Sequence, residues 1–133
     1  MHRGGCLCGA VRYEISGELA PIQVCHCSQC RKAQGGPFAT NLPVDRAAFR
    51  LLSGESELAG YRATPEKLRV FCRLCGSPIY SARDALPKTL RVRAGTLDEP
   101  VRTKLEAHYY VDSRAGWWPL EDNLPRHGGA KPG

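Results

Sequence analysis

Seven cysteines fall into three tight clusters, Cys6-x-Cys8, Cys25-x-Cys27-x-x-Cys30 and Cys72-x-x-Cys75, so every thiol in the chain has another within three residues. Thiolates hold tetrahedral zinc at about 2.3 Å, and pairs spaced by one or two residues present two sulfurs to one ion with little backbone movement. Seven such ligands divide naturally into four plus three. Four protein ligands close a structural site, whereas three leave a coordination position for water or substrate, as catalytic metals require. The odd count, with no apolar leader segment in Met1-His2-Arg3-Gly4-Gly5, argues against a secreted disulfide framework. Reduced, metal-bound thiolates in a cytoplasmic protein are the simpler expectation.

Spacing also separates the clusters by geometry. In extended chain, residues two apart share a face, so Cys6 and Cys8 converge on one ion, as do Cys25 and Cys27. Leu7 and His26 point the other way, which makes His26 a surface or outer-shell residue instead of a ligand to the same ion. Cys72-Arg73-Leu74-Cys75-Gly76 reads as a zinc knuckle, in which the turn gathers two sulfurs and Gly76 takes the left-handed conformation. Joining Cys6 and Cys8 to Cys72 and Cys75 completes a closed tetrahedron that ties the first strand to the centre of the chain. Cys25, Cys27 and Cys30 then stand alone. Their fourth ligand is water, a substrate atom, or a distant side chain; closure by His108 or a carboxylate would make this site structural too, and tetrathiolate iron is a third reading.

The rest of the composition sets the scale. A chain of 133 residues with only three Phe and two Trp, but 14 Gly and 10 Pro, builds one modest core with many turns, so metal crosslinks carry weight in folding. Short alternating runs predict a mainly β domain over residues 1–120. They lie at 10–15, 22–25, 38–42, 49–52, 68–72, 78–81, 90–94 and 108–111, bounded by Gly, Pro, Asp or Ser. In the first run Val11, Tyr13 and Ile15 share one face. Helix is scarce, with one or two turns expected at 28–33, where Ser28 would cap, and at 44–48. Residues 121–133 are expected to form a loosely ordered tail. The formal net charge is +6, and seven thiolates with two zinc ions together remove three charges, leaving about +3. Positive residues are scattered instead of forming a stripe, which disfavours nucleic acid as a partner, and no run is long enough to span a membrane.

Four blocks together carry a family resemblance. Gly5-Cys6-Leu7-Cys8-Gly9-Ala10-Val11-Arg12-Tyr13, Cys25-His26-Cys27-Ser28-Gln29-Cys30-Arg31-Lys32, Phe71-Cys72-Arg73-Leu74-Cys75-Gly76-Ser77-Pro78 and Gly95-Thr96-Leu97-Asp98 resemble, in this order, the glutathione-dependent formaldehyde-activating enzymes, a family that includes centromere protein V. The resemblance spans about residues 2–118. It implies a β-tent of packed antiparallel sheets, a structural zinc on Cys6, Cys8, Cys72 and Cys75, and a catalytic zinc on Cys25, Cys27 and Cys30. The activity it implies is that of a carbon–sulfur lyase, which joins glutathione and formaldehyde to S-hydroxymethylglutathione or runs the reverse.

Chemistry makes such a site plausible on its own terms. Three thiolates and one Zn²⁺ carry net charge −1, so Lewis acidity is below that of a three-histidine site and activation of a thiol is favoured over generation of hydroxide. Glutathione carries carboxylates, and Arg31 and Lys32, directly after the triplet, are the nearest cations in sequence and the candidate binding residues. The gaps between cysteine blocks, 16 and 41 residues, leave little room for insertions that would shape a glutathione pocket. The substrate is therefore read as glutathione or another small-molecule thiol adduct. His108 reads first as a satisfied sheet histidine and second as a general base. Trp117-Trp118 reads as a seal on the core, with a pocket wall or homodimer face as the other uses, and Asp98 as a turn former. A noncatalytic zinc module that binds protein or nucleic acid is the competing function.

Overall fold

Alternation from Val11 to Ile15 does what the pattern anticipates. Val11 and Tyr13 are fully buried and Ile15 nearly so; Tyr13 and Ile15 lie on the inner face of β2 (Arg12–Ile15), and Val11 directly precedes it. The computed structural model describes residues 1–131, and these form ten strands and one α-helix. The smaller sheet pairs β1 (His2–Gly5) with β2, and β2 with β5 (Phe49–Ser53), all antiparallel. The larger has seven strands. Its members in chain order are β3 (Ile22–Cys25), β4 (Ala39–Asp45), β6 (Leu58–Thr64), β7 (Lys67–Cys72), β8 (Pro78–Arg83), β9 (Thr89–Arg93) and β10 (Leu105–Tyr109). Across the sheet they run β10-β3-β4-β9-β8-β7-β6.

The core lies between the sheets. Val11, Tyr13 and Ile15 from the small sheet pack with Leu42, Val44, Ile79, Leu90 and Val92 from the large one, and Cys6 and Cys72 belong to the same cluster. One pairing departs from the expected antiparallel arrangement, because β10 lies parallel to β3. A parallel neighbour requires a crossover, and residues 94–104 supply it by carrying the chain past β4 and β3 to the sheet edge. Tyr110, at φ +58°, then ends β10 before the expected boundary at Val111.

Two strands were invisible to alternation. In β1, a Cβ on Gly4 would overlap the Tyr13 hydroxyl and the Thr96 carbonyl oxygen, so the strand exists because glycine lets the Tyr13 ring close over it. The Tyr13 hydroxyl donates to Thr96 Oγ1 at 2.6 Å beneath that contact. In β6, Gly60 interrupts the pattern, and the strand is held as an edge by pairing with β7. The expected helix at 28–33 is α1 (Ser28–Gln34), while 44–48 gives only a 3₁₀ turn capped by Asp45.

The last described residues run beside β10, where composition had suggested loose order. His108 N–H donates to Pro125 O, His127 N–H to His108 O and Tyr110 N–H to Gly129 O, and the Tyr109 and His127 rings stack. Pro132 and Gly133, also assigned to that tail, lie outside the described residues. Substituting Gly4→Ala forces the overlap described above. We expect a loss of about 1–3 kcal/mol, as for overpacked cores, read as a lower urea midpoint with unchanged slope.

Candidate functional site

Two turns bring the first group of thiols together. Cys6 and Cys8 sit in the connection from β1 to β2, while Cys72 ends β7 and Cys75 occupies the turn into β8. Gly76 has φ +79°, the left-handed conformation expected of the knuckle, and its N–H donates to Cys72 O at 2.8 Å. All four sulfurs lie within 4.8 Å of one another and can hold a metal ion. Bonds of about 2.3 Å at the tetrahedral angle set sulfurs about 3.8 Å apart. Cys6 and Cys8 are separated by 3.6 Å and Cys8 and Cys72 by 3.8 Å, so the donor set and spacing fit a tetrahedral thiolate-bound ion. Local donors favour the ionised form. Val11 N–H donates to Cys6 Sγ at 3.2 Å, and the hydroxyl and backbone N–H of Ser77 hold the Cys75 thiol down at about 5.

The second group is built on one loop and one helix end. Cys25 closes β3, Cys27 caps α1 and Cys30 lies in its first turn, and their sulfurs also lie within 4.8 Å of one another. Ser28 was the expected cap; instead Cys27, in extended conformation, accepts from Cys30 N–H at 3.3 Å through its sulfur, as an N-cap oxygen would. Contacts with Cys25 and Cys27 push the Cys30 thiol strongly down, helped by Arg69, whose Nη2 donates to Cys30 Sγ at 3.8 Å, and by the charge of Lys67. Contacts with Cys27 and Cys30 push Cys25 strongly up. No fourth His, Cys, Asp or Glu ligand atom joins this triplet among the described residues.

Of the two places the sequence allowed His26, the surface one is overturned. His26 is not at the surface but fully buried, because β10 covers it: its N–H donates to Tyr109 O, and its Nε2 lies 2.8 Å from His108 Nδ1. His108 Nε2–H donates to Asp122 Oδ2 at 2.8 Å, which leaves His108 Nδ1 to accept from His26 Nε2–H. Burial above all, with the positive charge of Arg114 nearby, pushes His26 down to about 4, so the ring is neutral. His108 is thus a satisfied sheet histidine with both nitrogens engaged, and closure of the triplet by it is not what the chain adopts. Trp117 and Trp118 do not seal the core either. They are 68% and 38% exposed, since Tyr13, Leu42 and Ile79 already fill the space between the sheets, and Trp118 instead packs edge-on against Phe38, which covers His26. Asp98 does more than turn the chain, because its carboxylate pairs with Arg12.

Beside the triplet opens a cleft of about 480 Å³, with Cys25 and Cys27 in its wall. Arg31 and Lys32 are not among its lining residues: Arg31 donates to Ser113 O at 3.1 Å and Lys32 is exposed. The cations that do line it are Lys67, Arg83, Arg91 and Lys131. Strand register explains the arrangement. Gln23 pairs with Asn41, Asn41 with Arg93, Arg91 with Ser81, Ser81 with Arg69, and Arg83 with Lys67, so all of them share the face that carries Cys25. Arg93 is buried and pushed down to about 10 by that burial, yet it donates to Asn41 Oδ1 and Ser81 Oγ. The sequence carried a signal for this face: in Lys67-Leu68-Arg69-Val70 and Arg91-Val92-Arg93, cations alternate with apolar residues at strand period.

Comparison with known proteins follows the same outline. The profile described as "Glutathione-dependent formaldehyde-activating enzyme" matches residues 1–113. A Halomonas elongata protein named "Putative glutathione-dependent formaldehyde-activating enzyme" is 31% identical over 126 residues, covering 89% of this chain and 80% of that protein. An uncharacterized lyase of Schizosaccharomyces pombe is 27% identical over 81 residues, 61% of this chain and 57% of its own length. A crystal structure of a Rhodobacter sphaeroides protein superposes with a TM-score of 0.63 at 27% identity, over 73% of this chain and 88% of that one. No helix among the described residues is long and apolar enough to cross a membrane.

The two thiol groups should respond differently to loss of one sulfur. Removing a structural zinc forfeits on the order of 10 kcal/mol, comparable to the whole stability of a domain. With an ion held by each group, we expect Cys72→Ala to lose one of the two ions and its cooperative thermal transition. Cys27→Ala should lose the other ion and keep the transition, as checked by elemental analysis and calorimetry.

Proposed function

Since the chain belongs to the glutathione-dependent formaldehyde-activating enzyme family, we propose that it is a zinc-dependent carbon–sulfur lyase acting on a thiol adduct, with S-hydroxymethylglutathione as the first substrate to test. Cys6, Cys8, Cys72 and Cys75 would hold a structural zinc, and Cys25, Cys27 and Cys30 a catalytic one. The observation that carries this reading is the contrast between the groups. Four sulfurs lie close enough to enclose one ion, whereas the triplet has no fourth His, Cys, Asp or Glu ligand atom beside it among the described residues and turns Cys25 and Cys27 to the cleft. A zinc ion on the triplet would supply an open position that lowers the pKa of an incoming thiol or polarises a carbonyl oxygen.

The protein's own groups do the remainder. The Cys30 N–H fixes Cys27 Sγ, and Arg69 holds negative charge on Cys30, so the donor set is preorganised by one helix turn and one neighbouring strand. Cations along the cleft draw in an anionic thiol and orient it toward Cys25 and Cys27. In the synthetic direction the sulfur of the thiol attacks formaldehyde carbon, one sulfur–carbon bond forms, the carbonyl π pair moves to oxygen, and the thiol proton ends on that oxygen. Nothing is oxidised or reduced. In the reverse direction the same bond breaks and the thiol is regenerated.

Zinc-edge X-ray absorption on the two-zinc protein tests this. Adding glutathione should raise the sulfur count at one ion from three to four, and ¹³C-formaldehyde should then give the hydroxymethyl thioether faster than in buffer. An unchanged zinc–sulfur shell together with an unaccelerated reaction would leave a noncatalytic zinc module as the reading. Cys27→Ala should abolish both signals.

A further inference from the structure

Two of the four cations in the cleft already have partners. Arg83 pairs with Glu66 at 3.0 Å and Lys131 with Glu106 at 3.3 Å. The side chains of Lys67 and Arg91 are half-buried and make no salt bridge or hydrogen bond among the described residues. Behind them, Arg69 and Arg93 are buried without a carboxylate partner, and Arg69 Nη1 and Arg93 Nε have no hydrogen-bond partner, among the described residues. Buried charges are ordinarily paired, because desolvating a cation without a counter-charge is costly.

Charge counting sharpens the point. Lys67, Arg69, Arg91 and Arg93 bring four positive charges to the sheet face that bears Cys25, and a trithiolate with one divalent ion offsets only one of them. The cleft therefore lacks anionic charge that a ligand must bring. We propose that Lys67 and Arg91 are the specificity-determining residues of the cleft and bind a carboxylate of the thiol substrate, so that this site selects carboxylate-bearing thiols over neutral ones. The inference rests on the thiol-binding reading above and adds to it which side chains choose the thiol.

Register gives the pair its geometry. Arg91 on β9 and Lys67 on β7 flank β8, where Ser81 faces Arg91 and Arg83 faces Lys67. Arg91 presents a planar fork suited to a carboxylate, and Lys67 adds a point charge. Asn41 and Gln23, on the strands that lead back to Cys25, offer amides to the rest of the ligand. A thiol held this way has its carboxylate over β7–β9 and its sulfur toward the triplet.

The test compares two probes that differ only in the carboxylate, mercaptoacetate and its uncharged amide, mercaptoacetamide. Both are titrated calorimetrically into the two-zinc full-length protein. We expect the acid to bind about tenfold or more tightly than the amide, as hydrogen bonds to charged groups provide. Arg91→Gln should erase that preference by weakening the acid alone, and Lys67→Gln should reduce it in the same way and keeps the idea testable if Arg91→Gln does not fold. Equal affinity of the wild-type protein for acid and amide would overturn this inference and leave thiol binding standing. So would equal weakening of both probes in the variants. Binding of neither probe would overturn the thiol-binding reading and this inference with it.

Discussion

Convergence of four thiols from two turns 64 residues apart is the constraint on which the rest of the molecule depends. Cys6 and Cys8 belong to the turn of the small sheet, and Cys72 and Cys75 to a turn of the large one, so whatever ion they hold pins the sheets at the edge of their shared core. The core is short of large aromatic side chains, with Tyr13 the largest fully buried one, and a crosslink of this span supplements it. Gly4 serves the same closure by leaving room for the hydroxyl end of Tyr13 against β1.

The large sheet has a division of labour between its faces. One face gives Leu42, Val44, Leu90 and Val92 to the core, and the alternate positions of the same strands give Asn41 and Arg91 to the cleft, with Arg93 buried behind them. Strand period makes this unavoidable, since each apolar residue turned inward sends its neighbour outward. The small sheet covers one face, and α1 with the C-terminal segment borders the other, so the polar face is a partly sheltered basin instead of open surface. In that setting a cation is worth more to an anion than it would be in bulk water.

His26 and Arg31 show where local reading ran out. Both flank the cysteine triplet, and their positions looked transparent: His26 turned away from the ion and Arg31 near the mouth. His26 did turn away, but toward β10, whose parallel pairing with β3 buried it against His108. Arg31 followed its helix to Ser113. The cations that reached the cleft came from β7, β8, β9 and the C-terminal segment, more than 35 residues later, through contacts that sequence separation does not announce. β1 and β6 were missed for a related reason, since glycine hides a strand whose worth lies in what it lets another residue do.

By itself the sequence determined the clustering of its thiols, the four-plus-three division, the mainly β character and the inward face of the first alternating strand. These are properties of residues within a few positions of each other, where backbone geometry leaves little choice. Only the tertiary structure decided that the cysteine triplet faces unpaired lysine and arginine side chains, that His26 is sealed and that the tryptophans are not. Those outcomes are set by register and crossover between distant strands, and such pairings are selected by the free energy of the whole core instead of by any local pattern.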